Sequence, residues 1–418
     1  MLDLKLVRED PERVRKALER RRVDGTIVDQ LLELDARRRE LLPELEGLRA
    51  EQNRAGKAIA EAKRSGQDAA GAIERMQGVA ARVKEMQAEQ SKLEERLTAL
   101  RATVPNPPAT SAPDEEEVLR EEGRAGKTGR DHIELLGEMV DIDAGARLSG
   151  SRFAYLRGPL VMLELAMVRW TFDVLTAHGF EPVIPPVLVR EEALFGTGFL
   201  PDTEQQIYAL PDDELYLSGT SEVALAALHA GEIVDPGKLP LRYAGFSACF
   251  RREAGAAGKD TRGIFRVHQF DKVEMFAFVE PEQSEGEHER LLAIEEELLQ
   301  ALEIPYRVVN IAAWDLGASA AKKYDLEAWM PGQERYREVT SCSNTTDFQA
   351  RRLDVRYRPA EGASPRFAHT LNGTATTWRT MIAIVENGQR DDGTIEIPGV
   401  LHPYGAPETI RAEAAAGS

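Results

Sequence analysis

The chain has 418 residues, a formal net charge of -18 and 30% charged side chains, which excludes a generally basic nucleic-acid coat, so that an RNA ligand would need local basic patches. That length suits two or three units better than one core. Its two cysteines, Cys249 and Cys342, stand far apart without CxxC or Cys/His spacing, so neither a disulfide framework nor a zinc site is expected.

The opening MLDLKLVRED places acids where a signal peptide needs an apolar core, and no apolar run approaches the length of a bilayer span; a cytoplasmic protein without membrane contact is expected. From Leu31, apolar or small residues follow at Leu34, Leu41, Leu45, Leu48, Ala55, Ile59 and Ala62, with Arg38 and Gln52 as polar members. This 3,4 alternation is a coiled-coil seam. Ser65-Gly66-Gln67-Asp68 breaks it, and Met76, Val79, Val83, Met86, Gln90, Leu93, Leu97 and Leu100 resume the period. Two matched helices with a short turn must lie antiparallel, a hairpin of roughly 45 to 50 Å at 1.5 Å per residue. Pro43 predicts a bend in the first helix. Cations such as Arg37, Arg39, Arg49, Arg54, Lys57, Lys63, Arg64, Arg75, Arg82 and Lys84 are mixed with Glu along the outer faces. They read either as a solvated surface or as a lever gripping RNA phosphates by shape.

Residues 104–122 are Pro-rich and then acidic, in keeping with an extended linker. Ala125-Gly126-Lys127-Thr128 lacks the leading glycine of a phosphate loop, whose place Glu121 holds. Pro159 to His178 reads as an amphipathic helix ending at Gly179. In EPVIPPVLV, the paired Pro185 and Pro186 exclude a central strand and point to an edge.

Leu215 to Glu222 (LYLSGTSE) gives a short strand, then a hydroxyl and carboxylate cluster that either caps a helix or lines a site. Leu241 to Val279 reads as a long antiparallel hairpin around the polar loop AGAAGKDTRG. Residues two apart share a strand face, so Arg251 goes with Glu253, and His268, Phe270 and Lys272 go with Glu274. These groups read as cross-strand ion pairs or, with Lys259 and Arg262 in the loop, as a triphosphate site, because bidentate recognition favours arginine. Phe367 to Gln389 reads as strand, small-residue turn and buried helix with Arg379 in its opening turns. A cation there is unfavourable unless an anion compensates it.

Behind a helical hairpin come GTSE, CFRREAGAAGKDTRGIFRVHQFDKVEMF, EVTSCSNTTDFQARR and TLNGTATTWRTMIAIVEN, in that order. The series resembles the class II aminoacyl-tRNA synthetases and, within them, the bacterial seryl-tRNA synthetases; GFEPVIPPVL resembles their first motif more weakly. The resemblance covers nearly the whole chain. It implies an α+β fold, with an antiparallel sheet of six or seven strands flanked by helices and preceded by the α-helical coiled-coil hairpin. The implied division is a tRNA-binding domain over 1–104 with its arm at about 27–101, a linker over 105–125 and a catalytic domain over 126–418. A homodimer with the Pro185 region in its contact is implied as well.

The implied activity is that of a serine–tRNA ligase: ATP and Mg²⁺ activate L-serine to seryl adenylate, which passes to the 3′ end of tRNA(Ser) held through the hairpin, with tRNA(Sec) left open. No side chain acts as covalent nucleophile, so the work is positioning and charge neutralisation. On matching positions, ATP would meet Arg251, Arg252, Glu253, Val267, Phe270, Glu338, Val339, Thr340, Ser341 and Arg379, with Mg²⁺ at Glu338 and Ser341. Arg251 would hold the α-phosphate and the serine carboxylate, and Glu253 the adenine amino group. Phe270 would stack on adenine, and Arg379 would cover it from the other side while meeting the γ-phosphate. Arg251, Glu253 and Arg379 form the implied catalytic set. Serine would meet Thr220, Ser221, Glu222, Arg251 and Glu274; a carboxylate bonded to the substrate hydroxyl rejects alanine, which would strand it. The third-motif turn departs from the family, being a residue shorter, with Trp378 directly before Arg379. Its serine contact falls to Thr374, with Thr376 as competitor.

Three other readings remain at this level. One is an adenylating enzyme that loads a carrier protein, although such relatives lack the long hairpin. Another is a specialised second copy serving antibiotic resistance or biosynthesis. The third is a synthetase-like protein without catalysis, expected to lose Arg251, Glu253 or Arg379, all of which are present.

Overall fold

The computed structural model describes residues 1–66, 68–201, 206–254 and 263–411. Two compact units emerge, Leu2–Pro107 and Met1 with Pro108–Ser418. Lys259, Arg262 and Gln67 lie outside the described residues.

In the smaller unit, α1 (Leu4–Glu9) and α2 (Pro11–Arg20) pack Leu4, Val7, Val14 and Leu18 against Val28, Leu31 and Leu97. Those last residues form the base of a hairpin made by α3 (Thr26–Arg64) and α4 (Ala70–Thr103). At 1.5 Å per residue the two helices run for about 58 and about 51 Å. A second cluster, Leu41, Leu45, Val83, Met86 and Leu93, continues the seam along the arm. Each apolar position of the 3,4 series is buried or half-buried, because only that stripe of each helix faces the other. The polar interruption of the seam is richer than Arg38 alone. Asp35 is buried and accepts from Arg8 Nη1 at 3.0 Å and Arg38 Nη2 at 2.9 Å, so a carboxylate costly to desolvate alone is matched by two guanidiniums. Pro43 sits on an exposed position inside an α3 that runs without interruption.

The larger unit is α+β. Its main sheet contains β1 (Glu117–Glu122), β2 (Glu181–Val183), β3 (Leu241–Phe250), β4 (Gln269–Val279), β5 (Tyr306–Asn310), β6 (Lys322–Met330), β7 (Arg335–Thr346) and β8 (His369–Thr377). In space they lie β1-β5-β6-β7-β8-β4-β3-β2. All pairings are antiparallel except that of β2 with β3. The sheet exceeds the expected six or seven strands at its edges. Part of the expected linker is β1, every residue of which is exposed, so no alternation of hydropathy marks it and only its backbone pairing with β5 does. The expected edge near Pro185 is β2, which ends two residues before that proline.

Among the helices around the site are α5 (His132–Leu136), α6 (Pro159–Ala177), α7 (Glu222–Ala227), α8 (Ser284–Ala301) and α9 (Trp378–Asn387). Helix α6 starts with Pro159 in its first turn and stops at Gly179, whose φ of +82° suits glycine. On one sheet face α6, α8 and α9 bring Leu163, Met167, Leu291, Leu298 and Met381 onto Val273, Met275, Ala277 and Leu371. Strand alternation sends Phe276 and Phe278 to the other face, where Leu225 and Ala226 of α7 and Leu353 cover them. Phe270, Lys272 and Glu274, on the same face of β4, instead line an open cavity.

Candidate active site

The cavity has a volume of about 1150 Å³, within reach of a nucleotide plus a small ligand. Its floor is the β3–β4 hairpin. Arg251 prolongs β3, donating its backbone N–H to His268 O at 3.0 Å. The register places its side chain on the Phe270 face, with the guanidinium carbon 5.3 Å from the ring centroid. Its Nε donates to Gly219 O at 3.3 Å. Glu253, at φ +51°, turns the chain out of the strand, and Arg266 Nη1 donates to its carboxylate at 2.6 Å.

Deeper along β4 lies a polar cluster. Lys272 is paired with Glu274, which also accepts from Asn372 Nδ2 at 3.3 Å and Thr374 Oγ1 at 3.4 Å. Glu222 accepts from Gln349 Nε2 at 2.7 Å and Asn372 Nδ2 at 3.0 Å. Burial, and then the charge of Glu274, push the Glu222 carboxyl up to about 7. Two carboxylates therefore face one ammonium, a local deficit that a ligand's ammonium group would correct. Thr220 borders the cluster and its Oγ1 accepts from the Glu222 N–H at 3.2 Å. Thr220 thus both bonds the first N–H of α7 and lines the cavity.

The opposite wall depends on a β-bulge. Leu326 pairs with Thr340 but Glu327 pairs with Glu338, leaving Val339 as the extra residue. Regular alternation would put Glu338 and Ser341 on opposite faces; the bulge brings both to the cavity, beside Lys323 of β6. Val339 and Thr340 form the buried back of this wall. Arg379, in the first turn of α9, donates from Nη1 to the Glu338 carboxylate at 3.0 Å and the Glu338 carbonyl at 3.2 Å. Its Nε reaches Phe265 O at 3.4 Å, and its guanidinium lies 4.8 Å from the Phe265 centroid. Burial would raise the Glu338 carboxyl, but Lys323, then Arg379 and Arg251, outweigh it and bring it down to about 2. Glu338 is therefore ionised at neutral pH.

Thr220, Glu222, Arg251, Glu253, Val267, Phe270, Glu274, Glu338, Val339, Thr340, Ser341, Thr374 and Arg379 all line this one cavity. Two expected site residues do not. Ser221 turns beneath α7, its Oγ 2.8 Å from Ser247 Oγ and donating to Gly245 O at 3.3 Å. Arg252 is exposed, with its N–H donating to Gln206 O at 2.8 Å. Arg252 follows Arg251, whose side chain is committed to the cavity, and so points away from it; Ser221, with helical backbone angles at the start of α7, turns instead toward β3. Of Thr374 and Thr376, a second bulge leaves only Thr374 on the cavity. Glu274 pairs with Thr374 but Val273 with Thr376, so Ala375 is extra. Thr376 is thereby turned to the far face, where its Oγ1 lies 3.1 Å from Thr171 Oγ1 of α6.

The cavity also contains Phe265, Lys323, Ser343 and Asn372, which the sequence does not single out. Strand alternation puts Lys272 on the correct face without assigning it a role. For Asn372, its position two residues before Thr374 on one strand is an available signal. For Lys323 and Ser343 the only signal is a polar residue in each of two strands whose pairing the sequence does not reveal.

Residues 1–108 match the family model of the seryl-tRNA synthetase N-terminal domain, and residues 208–388 that of the tRNA synthetase class II core domain (G, H, P, S and T). A serine–tRNA ligase of Thermobifida fusca is 50% identical over 414 residues, which are 97% of this chain and 97% of its own. The crystal structure of seryl-tRNA synthetase from Pyrococcus horikoshii complexed with ATP superposes with a TM-score of 0.92 at 41% identity, over 99% of this chain and 100% of that one. A cytoplasmic serine-tRNA ligase from Naegleria fowleri in complex with AMP gives 0.86 at 33% identity, covering 99% of each chain.

Proposed function

The chain belongs to the seryl-tRNA synthetase family, and from that premise we propose that its cavity binds ATP and L-serine, forms seryl adenylate and passes the seryl group to tRNA(Ser). The observation that carries this reading is the meeting of Arg251 and Arg379, 128 positions apart, on one cavity that also holds the Glu222–Glu274–Asn372 cluster. The matched N-terminal domain over residues 1–108 favours tRNA over a carrier protein as acceptor.

In the first step an oxygen of the serine carboxylate attacks the α-phosphorus, a P–O bond forms and the bond to the β-phosphate oxygen breaks, releasing diphosphate. Arg251 holds the two reacting anions together, and Phe270, with the strip at Phe265 and Val267, beds the base. Arg379 sits where the outer phosphates extend, exchanging part of its contact with Glu338 for them. Such contacts lower the barrier by position and charge. Glu222 and Thr220 receive the serine ammonium, and Glu274 with Thr374 receives its hydroxyl. In the second step a terminal ribose hydroxyl attacks the seryl carbonyl and AMP leaves.

Glu338 and Ser341 fit Mg²⁺: both offer hard oxygen donors on one face, the carboxylate is ionised, and Mg²⁺ on nucleotides commonly takes one or two protein carboxylates plus phosphate oxygens and water. When bound there, it neutralises phosphate charge.

The arm suits the tRNA. Arg37 and Arg82 are committed to Glu89, Glu44 and Glu85, whereas among the described residues Arg49, Arg54, Lys57, Lys63 and Arg64 are exposed without an ion pair and are available to phosphates. We also propose a homodimer: Ile184 is 80% exposed beside edge strand β2, and Met162 and Leu165 are exposed on α6. No helix among the described residues is long and apolar enough to cross a membrane, in keeping with a cytoplasmic site of action. The decisive test is serine-dependent exchange of diphosphate into ATP with Mg²⁺, followed by charging of total tRNA with each amino acid in turn. Exchange and charging with serine alone are expected; absence of exchange in folded protein sinks the reading.

A further inference from the structure

Residues 263–268, the return of the β3–β4 hairpin, belong to no strand, yet they supply Phe265, Arg266 and Val267 to the cavity. Their backbone is held from outside the sheet. The Ile264 N–H donates to Nε2 of His132 at 3.2 Å, Phe265 O accepts from Arg379 Nε at 3.4 Å, and the His268 N–H donates to Arg152 O at 3.0 Å. A ring nitrogen that accepts a backbone N–H carries no proton, so the proton of His132 resides on Nδ1. That nitrogen donates to Glu386 Oε1 at 3.0 Å. The same carboxylate accepts the His132 N–H at 3.1 Å on Oε1 and the Gly332 N–H at 2.9 Å on Oε2.

His132 and Glu386 are 4% and 0% exposed, and neither lines the cavity. A buried histidine–glutamate pair is ordinarily only a satisfied piece of core. The connectivity of this one is more particular, because its two ends are parts of the candidate site. Glu386 belongs to α9, whose first turn carries Arg379; His132 grips the strip that carries Phe265 and Val267. The approach is too close for a side chain at Gly263, where a Cβ would run into the His132 ring at a φ of +80°. The strip, and the Arg379 that bonds Phe265 O and lies over its ring, form one stretch of cavity wall tied at both ends to one buried imidazole.

We propose that His132, fixed by Glu386, is a positioning residue for the nucleotide: it holds the Phe265–Val267 strip in register with Arg379, so that the wall they form together fits ATP. The inference rests on the assignment of this cavity to ATP. It predicts an effect on ATP that serine does not share, because the Glu222–Glu274 cluster is held by Gln349 and Asn372 and not by this strip.

The test is serine-dependent ATP–diphosphate exchange by the full chain. His132→Phe keeps a ring but leaves the Ile264 N–H buried without an acceptor, a loss large enough to raise the KM for ATP about tenfold, with the KM for serine within about twofold. His132→Gln, whose amide offers both an acceptor and a donor, is expected to restore the KM for ATP to within about threefold of the parent. Should His132→Phe not fold, Gly263→Ala displaces the same ring from the other side and is expected to give the same ATP-selective defect. Exchange by the parent chain with an unshifted KM for ATP in the folded variants overturns this inference alone. Equal losses for ATP and serine, or no rescue by Gln, reduce the pair to a core contact and overturn it too. No exchange by the parent chain overturns the ATP assignment itself.

Discussion

Glu222 is almost out of reach of solvent, and Glu274, Lys272 and Arg251 are the charged groups that act on it most. Burial first, and Glu274 second, raise its carboxyl to about 7. The consequence for stability has a definite sign. Below about pH 4 both folded and unfolded chains hold the proton and the residue contributes nothing; as pH rises towards 7 the unfolded chain releases it while the folded chain keeps it, so stability falls, by about 3 kcal/mol above that window. A serine ammonium placed against this carboxylate reverses the preference, because the ionised form is then favoured. Serine binding near pH 7 is therefore expected to expel a fraction of a proton, and affinity should weaken as pH falls from 8 to 6. Calorimetry in phosphate and in Tris, whose ionisation enthalpies differ, reads the released proton directly. A buffer-independent enthalpy and a flat affinity, unchanged by Glu222→Gln, would remove Glu222 from the ammonium site.

Among the elements, two single-residue bulges decide which hydroxyls and carboxylates reach the cavity. Neither is readable from the sequence, which predicts no strand over Arg335–Thr346, and the small-residue turn it predicts before Arg379 is strand as far as Thr377. The extra residue at Ala375 sends Thr376 under the sheet to Thr171 and keeps Thr374 against Glu274. Thr374→Val should raise the KM for serine about tenfold, for one missing hydrogen bond in a desolvated site. Thr376→Val should leave that KM within about twofold and cost about 1 kcal/mol of stability. Steady-state exchange and thermal melting separate the two, and the reverse pattern would mean that the bulge is misplaced. The coiled-coil seam, the α6 boundaries and the β3–β4 hairpin are legible because period 3.5, a Pro–Gly bracket and period 2 are local signals. Glu338 and Ser341 are brought together only by the resemblance, since period 2 alone would part them. Strand β1 and the grip of His132 on Ile264 are not legible, because one lacks a hydropathy pattern and the other is a contact across 132 positions.

For the molecule as a whole, adenylation and tRNA recognition are assigned to units with separate cores. The smaller unit closes its base on Leu4, Val14, Leu18, Leu31 and Leu97, while Leu41, Leu45, Val83 and Met86 belong to the arm. The ion pair between Arg37 and Glu89, with Nη2 and Oε1 2.7 Å apart, marks facing positions on the two helices. Excising residues 41–85 and closing the ends with a glycine-rich turn removes the arm beyond that pair and leaves the base intact. It also removes Arg49, Arg54, Lys57, Lys63, Arg64, Arg75 and Lys84, exposed cations that form no ion pair among the described residues. If those cations bind tRNA phosphates, serine-dependent diphosphate exchange should stay within about twofold of the parent while charging of tRNA(Ser) falls by two orders of magnitude or more, as removal of several phosphate-binding cations implies. The salt dependence of tRNA binding should flatten in parallel, by about one unit of slope for each phosphate that is no longer neutralised. Equal loss of exchange and charging would mean that the arm supports the fold of the catalytic unit. Intact charging would mean that the tRNA is held elsewhere on an otherwise acidic protein.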